Sequence, residues 1–349
     1  MCSSDLRNAE SRCFPLRLQD ITLARSPTNL PMRKILVIKT SSLGDVVHNF
    51  PVISDIKANF PDVAIDWMVE EAYQSLVQLH PGVRRAIPVS IRRWRRDLLQ
   101  FDTWSELGKL RNFFRNSPYD QIIDTQGLIK SALLAYGAHG LSHGFDSRSA
   151  REPLAARFYD VRHNVAREMH AVMRNRKLES QALGYTLAEF IHYGLTVRSD
   201  EAFVSLNNSV VFLHSTSKQE KHWRESHWVT LGEKVEASGL RVILPWGNHS
   251  ERLRSERIAT SLGNPLIPES LGIDRLASLL GNCIAVVGVD TGLTHLAAAL
   301  GTPVAAIFCA TDPKRTGTFG ASRSHNLGGP GRMPEVSEVI HVLRREGVL

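Results

Sequence analysis

Short apolar runs alternate with segments of helical periodicity along the chain from Met32 onward. Runs this short and this apolar are typical of strands that are buried on both faces of a parallel sheet. The predicted strands cover residues 34–39, 64–70, 86–90 and 120–126, and then 209–215, 240–246, 284–289 and 304–308. Helical segments separate most of these strands, so the pattern predicts an α/β fold with parallel sheets.

Residues 198–208 are polar and lack periodicity, and they separate the two sets of strands. We therefore predict two Rossmann-like, doubly wound domains that face a central cleft, with the first covering 32–203 and the second 204–349. Residues 1–31 show no strand or helix periodicity and have no apolar region like that of a secretory signal. They are predicted to be an extension that takes no part in the fold.

The stretch 284–308 is the most informative part of the sequence. It begins with an apolar run, continues with the polar tripeptide Asp290, Thr291 and Gly292, and ends in a small-residue helix and a second apolar run. A loop between a parallel strand and a helix offers free backbone N–H groups, which suit a diphosphate. Asp and Thr also serve simply as helix caps. His295, one turn into the helix on the loop side, favours a binding site.

A second candidate loop, TSSLGD, follows the first predicted strand. Gly44 permits a tight backbone turn, and Asp45 then lies at the start of a helix, where the helix dipole favours an ionised carboxylate. Such a carboxylate suits a general base, and it equally suits a cap. On local grounds both interpretations stay open.

The loop after the strand at 209–215 is rich in hydroxyl groups and contains Lys221. A lysine can neutralise a leaving diphosphate, while the hydroxyls of Thr216 and Ser217 hold its oxygens. The loop has no GxxxxGK[ST] pattern, which argues against an ATPase. Glu251, in the turn after the next strand, can accept hydrogen bonds from a ribose diol or can stabilise a helix N-terminus.

Six blocks of the chain resemble the ADP-heptose glycosyltransferases, which build the inner core of bacterial lipopolysaccharide. They are KTSSLGDVVH (39–48), IRRWRR (91–96), DTQGLIKSA (124–132), FLHSTSKQEKHW (212–223), LPWGNHSER (244–252) and VGVDTGLTHLAAALGTPVAAIF (287–308). The blocks occur in the family order, and the resemblance extends over nearly the whole chain from Met32. Within the family they look most like the members that add the first heptose to Kdo.

The resemblance implies a GT-B fold in which the last helix packs back across the first domain. It implies an inverting transfer of L-glycero-D-manno-heptose from ADP-heptose to Kdo of Kdo-lipid A, with Asp45 as the catalytic base. The implied donor-binding residues are Thr216, Ser217, Lys221, Glu251, Asp290, Thr291, Gly292 and His295. No DxD motif and no HExxH spacing is present, so neither a metal nor a cofactor is expected. A heptose acceptor is the alternative within the family.

Arginines are concentrated between residues 84 and 96 of a chain whose formal net charge is +7. Nucleic acid is not the expected partner, because no nucleic-acid-binding motif accompanies them. Guanidinium groups suit the carboxylates and phosphates of Kdo-lipid A, although a solvated basic face is also possible. The predicted acceptor-binding residues are Arg92, Arg93, Arg95 and Arg96. An anionic membrane surface would attract the same groups.

The chain has no apolar stretch of spanning length and no paired cysteine motif, which favours a cytosolic protein. The lipid acceptor that the resemblance implies places it peripherally on the cytoplasmic face of the inner membrane, and a monomer is expected. Two alternatives lie outside the transferase class. A nucleotide-dependent oxidoreductase is disfavoured because the first loop lacks GxGxxG. A non-catalytic binder of anionic glycolipid would tolerate the loss of Asp45.

Overall fold

Two parallel β-sheets organise the chain, and the computed structural model describes residues 32–97, 99–197 and 206–349. The first sheet has the order β3-β2-β1-β4-β5-β6 and the second the order β11-β10-β9-β7-β8. The strands of the first sheet are β1 (Lys34–Ile38), β2 (Ala64–Glu70), β3 (Val83–Val89), β4 (Gln121–Asp124), β5 (Leu141–Phe145) and β6 (Val161–His163). Those of the second are β7 (Ser209–Leu213), β8 (Arg241–Ile243), β9 (Ala285–Val289), β10 (Val304–Phe308) and β11 (Ser324–Gly328).

Helices cover both sheets. Those that follow the strands of the first sheet are α1 (Leu43–Val47), α2 (Phe50–Asn59), α3 (Gln74–Val77), α4 (Ile91–Arg96), α5 (Phe101–Arg115), α6 (Ile129–Gly137) and α7 (Ala171–Leu183). Those associated with the second are α8 (Glu225–Ala237), α9 (His249–Ala259), α10 (Ile273–Asn282), α11 (Gly292–Ala299), α12 (Pro313–Thr316) and α13 (Val336–Arg345). Short 3-10 turns occupy Glu71–Tyr73, Pro153–Phe158 and Gln219–Lys221.

The central strands form because their side chains are apolar on both faces. β1 is fully buried from Ile35 to Ile38 and pairs in parallel with β2 on one side and β4 on the other. β9 holds the same position in the second sheet, between β7 and β10. The loops that follow β1 and β9 therefore leave the carboxyl edges of the two sheets, where open α/β sheets bind ligands.

Several elements differ from the prediction. The helix predicted to run through residue 59 is divided at His48 and Asn49, because Pro51 cannot donate a backbone hydrogen bond within a continuous helix and instead begins α2. Strand β5 and the edge strands β6 and β11 were not predicted, because LSHGF, VRH and SHNLG lack an apolar run. The predicted extension, 1–31, and the predicted boundary at 203/204 lie outside the described residues.

The expected packing of the last helix on the first domain is wrong. α13 packs against α8, β10 and β11 of the second domain. Its buried Val339, Val342 and Leu343 are spaced to form one apolar face, and they join the core cluster of the second sheet. Trp223 also donates a hydrogen bond of 2.8 Å to the carbonyl of Pro334, just before the helix. The apolar side chains of the second sheet therefore determine where α13 packs.

No helix in the described ranges is both long enough and apolar enough to cross a membrane.

Candidate active site

A cleft of about 600 Å³ lies between the loops that leave the two sheets. It brings together every residue that the sequence predicted for the base and the donor site: Asp45, Thr216, Ser217, Lys221, Glu251, Asp290, Thr291, Gly292 and His295. These residues come from the loops after β1, β7, β8 and β9. The carboxyl edges of both sheets therefore open into one space, as the two-domain prediction required.

Two glycines allow the helices on either side of the cleft to approach. A Cβ added at Gly292 would lie 2.8 Å from the backbone nitrogen of Gly44, a distance that real Cβ atoms do not tolerate. Gly292 begins α11 and Gly44 lies in the first turn of α1. The absence of a side chain at Gly292 thus lets the N-termini of the two helices, with their free N–H groups, meet at the cleft.

The side chain of Asp290 is buried within a network of its own. Its Oδ2 accepts hydrogen bonds of 2.6 Å from Nζ of Lys221 and 2.6 Å from Oγ1 of Thr311, and Nε2 of His295 lies 3.5 Å from Oδ1. Burial alone would raise the pKa of Asp290, but the hydrogen bonds from His295, Lys221 and Thr311 outweigh burial and hold that pKa well below its usual value. The carboxylate is ionised and turned towards protein groups.

Lys221 is therefore held by Asp290 at the cleft. One of the three ammonium N–H donors is used in this ion pair, and the side chain is 19% exposed, so further donors remain for a ligand. Thr216 donates from Oγ1 to the carbonyl of Asp290 at 3.3 Å, which ties the loop after β7 to the loop after β9. Thr311 was missed at the sequence level, since no motif marks it.

Asp45 caps helix α1 and also lines the cleft. Its Oδ2 accepts hydrogen bonds from the backbone nitrogen of Ser42 (3.0 Å) and from Oγ of Ser42 (3.1 Å), so it closes the N-terminus of α1. Arg151 approaches the same oxygen at 3.7 Å. Within the described part of the chain, Oδ1 makes no hydrogen bond, and the side chain is 30% exposed at the cleft. One carboxylate oxygen orients the group and the other is open.

Glu251 is fixed in the same way at the first turn of α9. Its Oε2 accepts a 2.8 Å hydrogen bond from the backbone nitrogen of Gly247, and its own backbone nitrogen donates to Asn248. A small recess of about 80 Å³ adjoins Glu251, and Trp246 and Leu293 are among the apolar residues that line it. The arrangement places a carboxylate beside an apolar recess, a combination that suits a nucleoside.

A second, basic pocket of about 220 Å³ adjoins Asp45 on the side of the first sheet. Its cationic side chains are Lys39, Arg151, Arg167, Arg174 and Arg315, whereas Asp45 is the carboxylate among its lining residues. Burial lowers the pKa of Lys39 to about 8, against the attraction of Asp45 and Asp124. This pocket could not be predicted from the sequence, because its cations come from distant parts of the chain.

The four arginines predicted to bind the acceptor lie on α4 but do not act as one group. Arg92 lines the cleft. Arg93 is paired with Glu106, which accepts hydrogen bonds of 3.0–3.1 Å from its guanidinium group. Arg96 pairs with Asp97 at 3.1 Å, and Arg95 is exposed. The structure therefore leaves Arg92 and Arg95 available at or near the cleft, while carboxylates engage the other two.

No group of three or more His, Cys, Asp or Glu side chains within the described ranges is arranged to hold a metal ion.

Two Rossmann-like domains, a shared cleft at the carboxyl edges of their sheets and a lysine held beside a helix N-terminus define a GT-B glycosyltransferase. The sequence model of glycosyltransferase family 9 (heptosyltransferase) matches residues 107–342. Lipopolysaccharide heptosyltransferase 1 of Pseudomonas aeruginosa is 42% identical over 294 residues, which is 84% of this chain and 83% of that protein.

Two solved structures of an E. coli heptosyltransferase, WaaC, are also similar, each with 35% sequence identity. The structure with ADP has a TM-score of 0.83 over 90% of this chain and 99% of that chain. The structure with ADP-2-deoxy-2-fluoro heptose has a TM-score of 0.79 over 89% and 99%. The chain therefore belongs to glycosyltransferase family 9, the heptosyltransferases, which confirms the predicted family, fold class and enzyme class.

Proposed function

We propose that this enzyme transfers L-glycero-D-manno-heptose from ADP-heptose to a hydroxyl of Kdo on Kdo-lipid A, with inversion at the anomeric carbon. The observation that carries the proposal is the position of Asp45, which lines both the large cleft and the basic pocket. A base for glycosyl transfer has to reach the acceptor hydroxyl while the donor carbon lies on the far side of that hydroxyl. Asp45 lies at the boundary where such a pair of substrates would meet.

The donor is assigned to the second domain. In the proposed complex, Lys221 faces the diphosphate as a cation, the hydroxyls of Thr216 and Ser217 donate to its oxygens, and the N–H groups of Thr291 and Gly292 add backbone donors. Asp290 is an unsuitable ligand for a diphosphate because it is itself an anion. Its proposed role is to hold Lys221 and His295 in place, which the hydrogen bonds around it support.

The ribose and adenine are assigned to the neighbourhood of Glu251. Its Oε2 is held by Gly247, and its other oxygen is available for a ribose hydroxyl. The apolar recess next to it, with Trp246 on one wall, suits the edge of a base.

The acceptor is assigned to the basic pocket. An acidic sugar such as Kdo brings a carboxylate that Arg151 and its neighbours can bind as bidentate partners. A neutral heptose would leave the buried Lys39 and the half-buried Arg174 without an anion, which is unfavourable. The pocket therefore supports Kdo over heptose as the acceptor, and Arg92 at the rim is available for a phosphate of the same lipid.

The proposed chemistry is a single displacement. Oδ1 of Asp45 takes the proton of the acceptor hydroxyl as the hydroxyl oxygen bonds to the anomeric carbon. The bond from that carbon to the diphosphate breaks from the opposite side, and ADP leaves with the electron pair. Lys221 and the N–H groups of the α11 N-terminus stabilise the charge that develops on ADP. Attack from the opposite face inverts the anomeric centre.

Because the proposed acceptor is a lipid, the enzyme has to bind it at a membrane surface. We propose that the protein is cytoplasmic and binds peripherally to the inner membrane, where anionic lipid attracts basic residues by about 1 kcal/mol each. Arg92 and Arg95 are the members of the predicted arginine group that are free for this purpose.

The decisive experiment measures ADP release from ADP-heptose with two acceptors, Kdo-lipid A and Kdo-lipid A that already carries one heptose. Turnover with the first acceptor and little with the second is expected. Preference for the heptosylated acceptor would contradict the proposal and assign the enzyme to the second heptose transfer. Normal binding of both substrates without ADP release would instead indicate a non-catalytic binder.

A further inference from the structure

Three large apolar side chains are strongly exposed beside α4. Leu99 is 100% exposed, Phe101 is 83% exposed and Trp104 is 62% exposed. We refer to Leu99, Phe101 and Trp104 as the apolar tip. Single exposed apolar residues are ordinary on protein surfaces, whereas several large ones close together usually mark an interaction site.

The apolar tip is a consequence of how the first turns of α5 are oriented. Phe101 and Trp104 are three residues apart, so they lie on the same side of the helix. Thr103 is buried and Leu110 packs against the core of the first sheet, so the opposite side of the helix faces the protein. The aromatic side is thus turned to solvent by the same packing that anchors α5.

The charges around the apolar tip are mainly positive. Residues 91–106 contain Arg92, Arg93, Arg95 and Arg96 against the carboxylates Asp97, Asp102 and Glu106. Arg93 and Arg96 are paired with Glu106 and Asp97, so Arg92 and Arg95 supply the positive surplus. Further towards the cleft, burial lowers the pKa of Lys130; the attraction of Glu70 opposes this shift, and the repulsion of Arg92 and Arg95 adds to it. Lys130 in turn donates to Oγ of Ser41, in the loop that carries Asp45, at 3.3 Å.

Three cations, which we call the basic strip, lie between the loop that carries Asp45 and the segment that carries the apolar tip. They are Lys130, Arg92 at the cleft rim and Arg95 on α4, with Glu70 as a carboxylate close to Lys130 and Arg92, and the apolar tip follows α4 in the chain. A surface that has aromatic side chains next to basic ones is suited to bind an anionic bilayer. The aromatic rings enter the headgroup region, and the basic groups pair with lipid phosphates.

We propose that the apolar tip inserts into the headgroup region of an anionic membrane and directs the cleft towards lipid-borne acceptors. The proposal rests on the proposed function, because it takes the acceptor to be a lipid. The acyl chains would stay in the bilayer below the apolar tip, while the basic strip leads the anionic headgroup towards Asp45. A second copy of this chain is a poorer occupant, because pairing two basic strips would bring like charges together.

The test measures binding of the full-length protein to vesicles of phosphatidylglycerol and phosphatidylcholine in equal parts by co-sedimentation. Phe101→Ser should lower the partition coefficient about tenfold, because a large apolar side chain that enters the headgroup region is replaced by a polar one. Leu99→Ser should lower it in the same direction. Phe190→Ser is the matched control, because Phe190 is also 75% exposed but lies after α7, away from the basic strip.

The same variants are then assayed for heptose transfer to a water-soluble, deacylated acceptor. Phe101→Ser should retain wild-type turnover there, because the apolar tip does not line the cleft. Equal vesicle binding by wild type and Phe101→Ser, or an equal loss in Phe190→Ser, would overturn the membrane assignment. Self-association of the wild type that Phe101→Ser abolishes would overturn it in favour of a second copy. If the wild-type protein transferred heptose to no acceptor, the proposed function would be contradicted, whereas the vesicle measurement would still decide whether the apolar tip binds a membrane.

Discussion

Nε2 of His48 lies 3.3 Å from Nδ1 of His295, and this contact joins the two domains at the cleft. His48 ends the helix that carries Asp45, and His295 lies in α11 beside Asp290. Both side chains are buried, and burial, together with the neighbouring His295 and His170, lowers the pKa of His48 well below its usual value. The neutral ring links the position of the proposed base to the donor loop.

Replacing His48 with Phe keeps the ring and removes the hydrogen bond. We expect a loss of about 1–3 kcal/mol in the free energy of unfolding, because His295 is left with an unpaired buried nitrogen. Turnover should fall further than the loss of stability explains, since Asp45 loses its link to the donor loop. Urea denaturation and steady-state ADP release measure the two effects.

A second histidine pair offers the control. Nδ1 of His143 and Nε2 of His163 are 3.0 Å apart on β5 and β6, and neither residue lines the cleft or the basic pocket. His163→Phe should alter stability without altering turnover. A similar loss of turnover in both variants would show that the effect of His48→Phe is general destabilisation.

Asp45→Asn tests the proposed base. Asn retains a side-chain oxygen that can accept the hydrogen bonds from Ser42, so the helix should stay capped. Turnover should fall roughly 10²–10⁴-fold, the usual contribution of a general base. ADP affinity measured by calorimetry should persist, because ADP is assigned to the second domain. A folded variant with near-normal turnover would reduce Asp45 to a helix cap.

Asp290→Ala tests whether this carboxylate acts by holding Lys221. Losing a charged hydrogen-bonded partner should weaken ADP binding by about 1–3 kcal/mol, measured by calorimetry. Lys221→Met should weaken it as well, and the double variant should lose less than the sum of the two, because both act through one contact. Additive losses would mean that each residue binds ADP separately. Thr311→Val, which removes one lesser partner of Asp290, should have a smaller effect.

Arg151→Ala should raise the KM for the acceptor and leave ADP affinity unchanged. Arg151 lines the basic pocket and approaches Asp45 at 3.7 Å, so an acidic acceptor would meet it first. Arg93→Ala is the contrast, because Arg93 is engaged by Glu106 and should affect stability in preference to acceptor binding. Equal effects of the two substitutions on acceptor KM would favour the arginine group on α4 over the basic pocket.

The pKa of Lys39 predicts how kcat/KM for the acceptor depends on pH. Its pKa is lowered to about 8 by burial, so the free enzyme loses this positive charge as the pH rises through about 8. An anionic acceptor prefers the protonated form, and kcat/KM for the acceptor should therefore decrease above that pH, by up to about tenfold per pH unit. Lys39→Arg should remove this step, since arginine stays charged. An unchanged profile in the variant would contradict the assignment.

The alternation of apolar and polar segments along the chain determined those parts of the site that lie in loops after predicted strands. An apolar run followed by a polar loop and a helix predicted the loops that contain Asp45 and Asp290, and parallel strands bring their carboxyl ends to one edge. The family resemblance added the identity of the chemistry. The edge strands were beyond this reasoning, because VRH and SHNLG are strands only through their neighbours.

Tertiary structure alone decided which charges meet. Lys221 is paired with Asp290, 69 positions away. Arg93 is engaged by Glu106 on the next helix whereas Arg92 lines the cleft, so two arginines that looked equivalent in the sequence differ in their availability. The basic pocket gathers Lys39, Arg151 and other cations from distant segments, and α13 packs on its own domain. Periodicity records which side of an element is buried, whereas ion pairs depend on which elements the fold brings together.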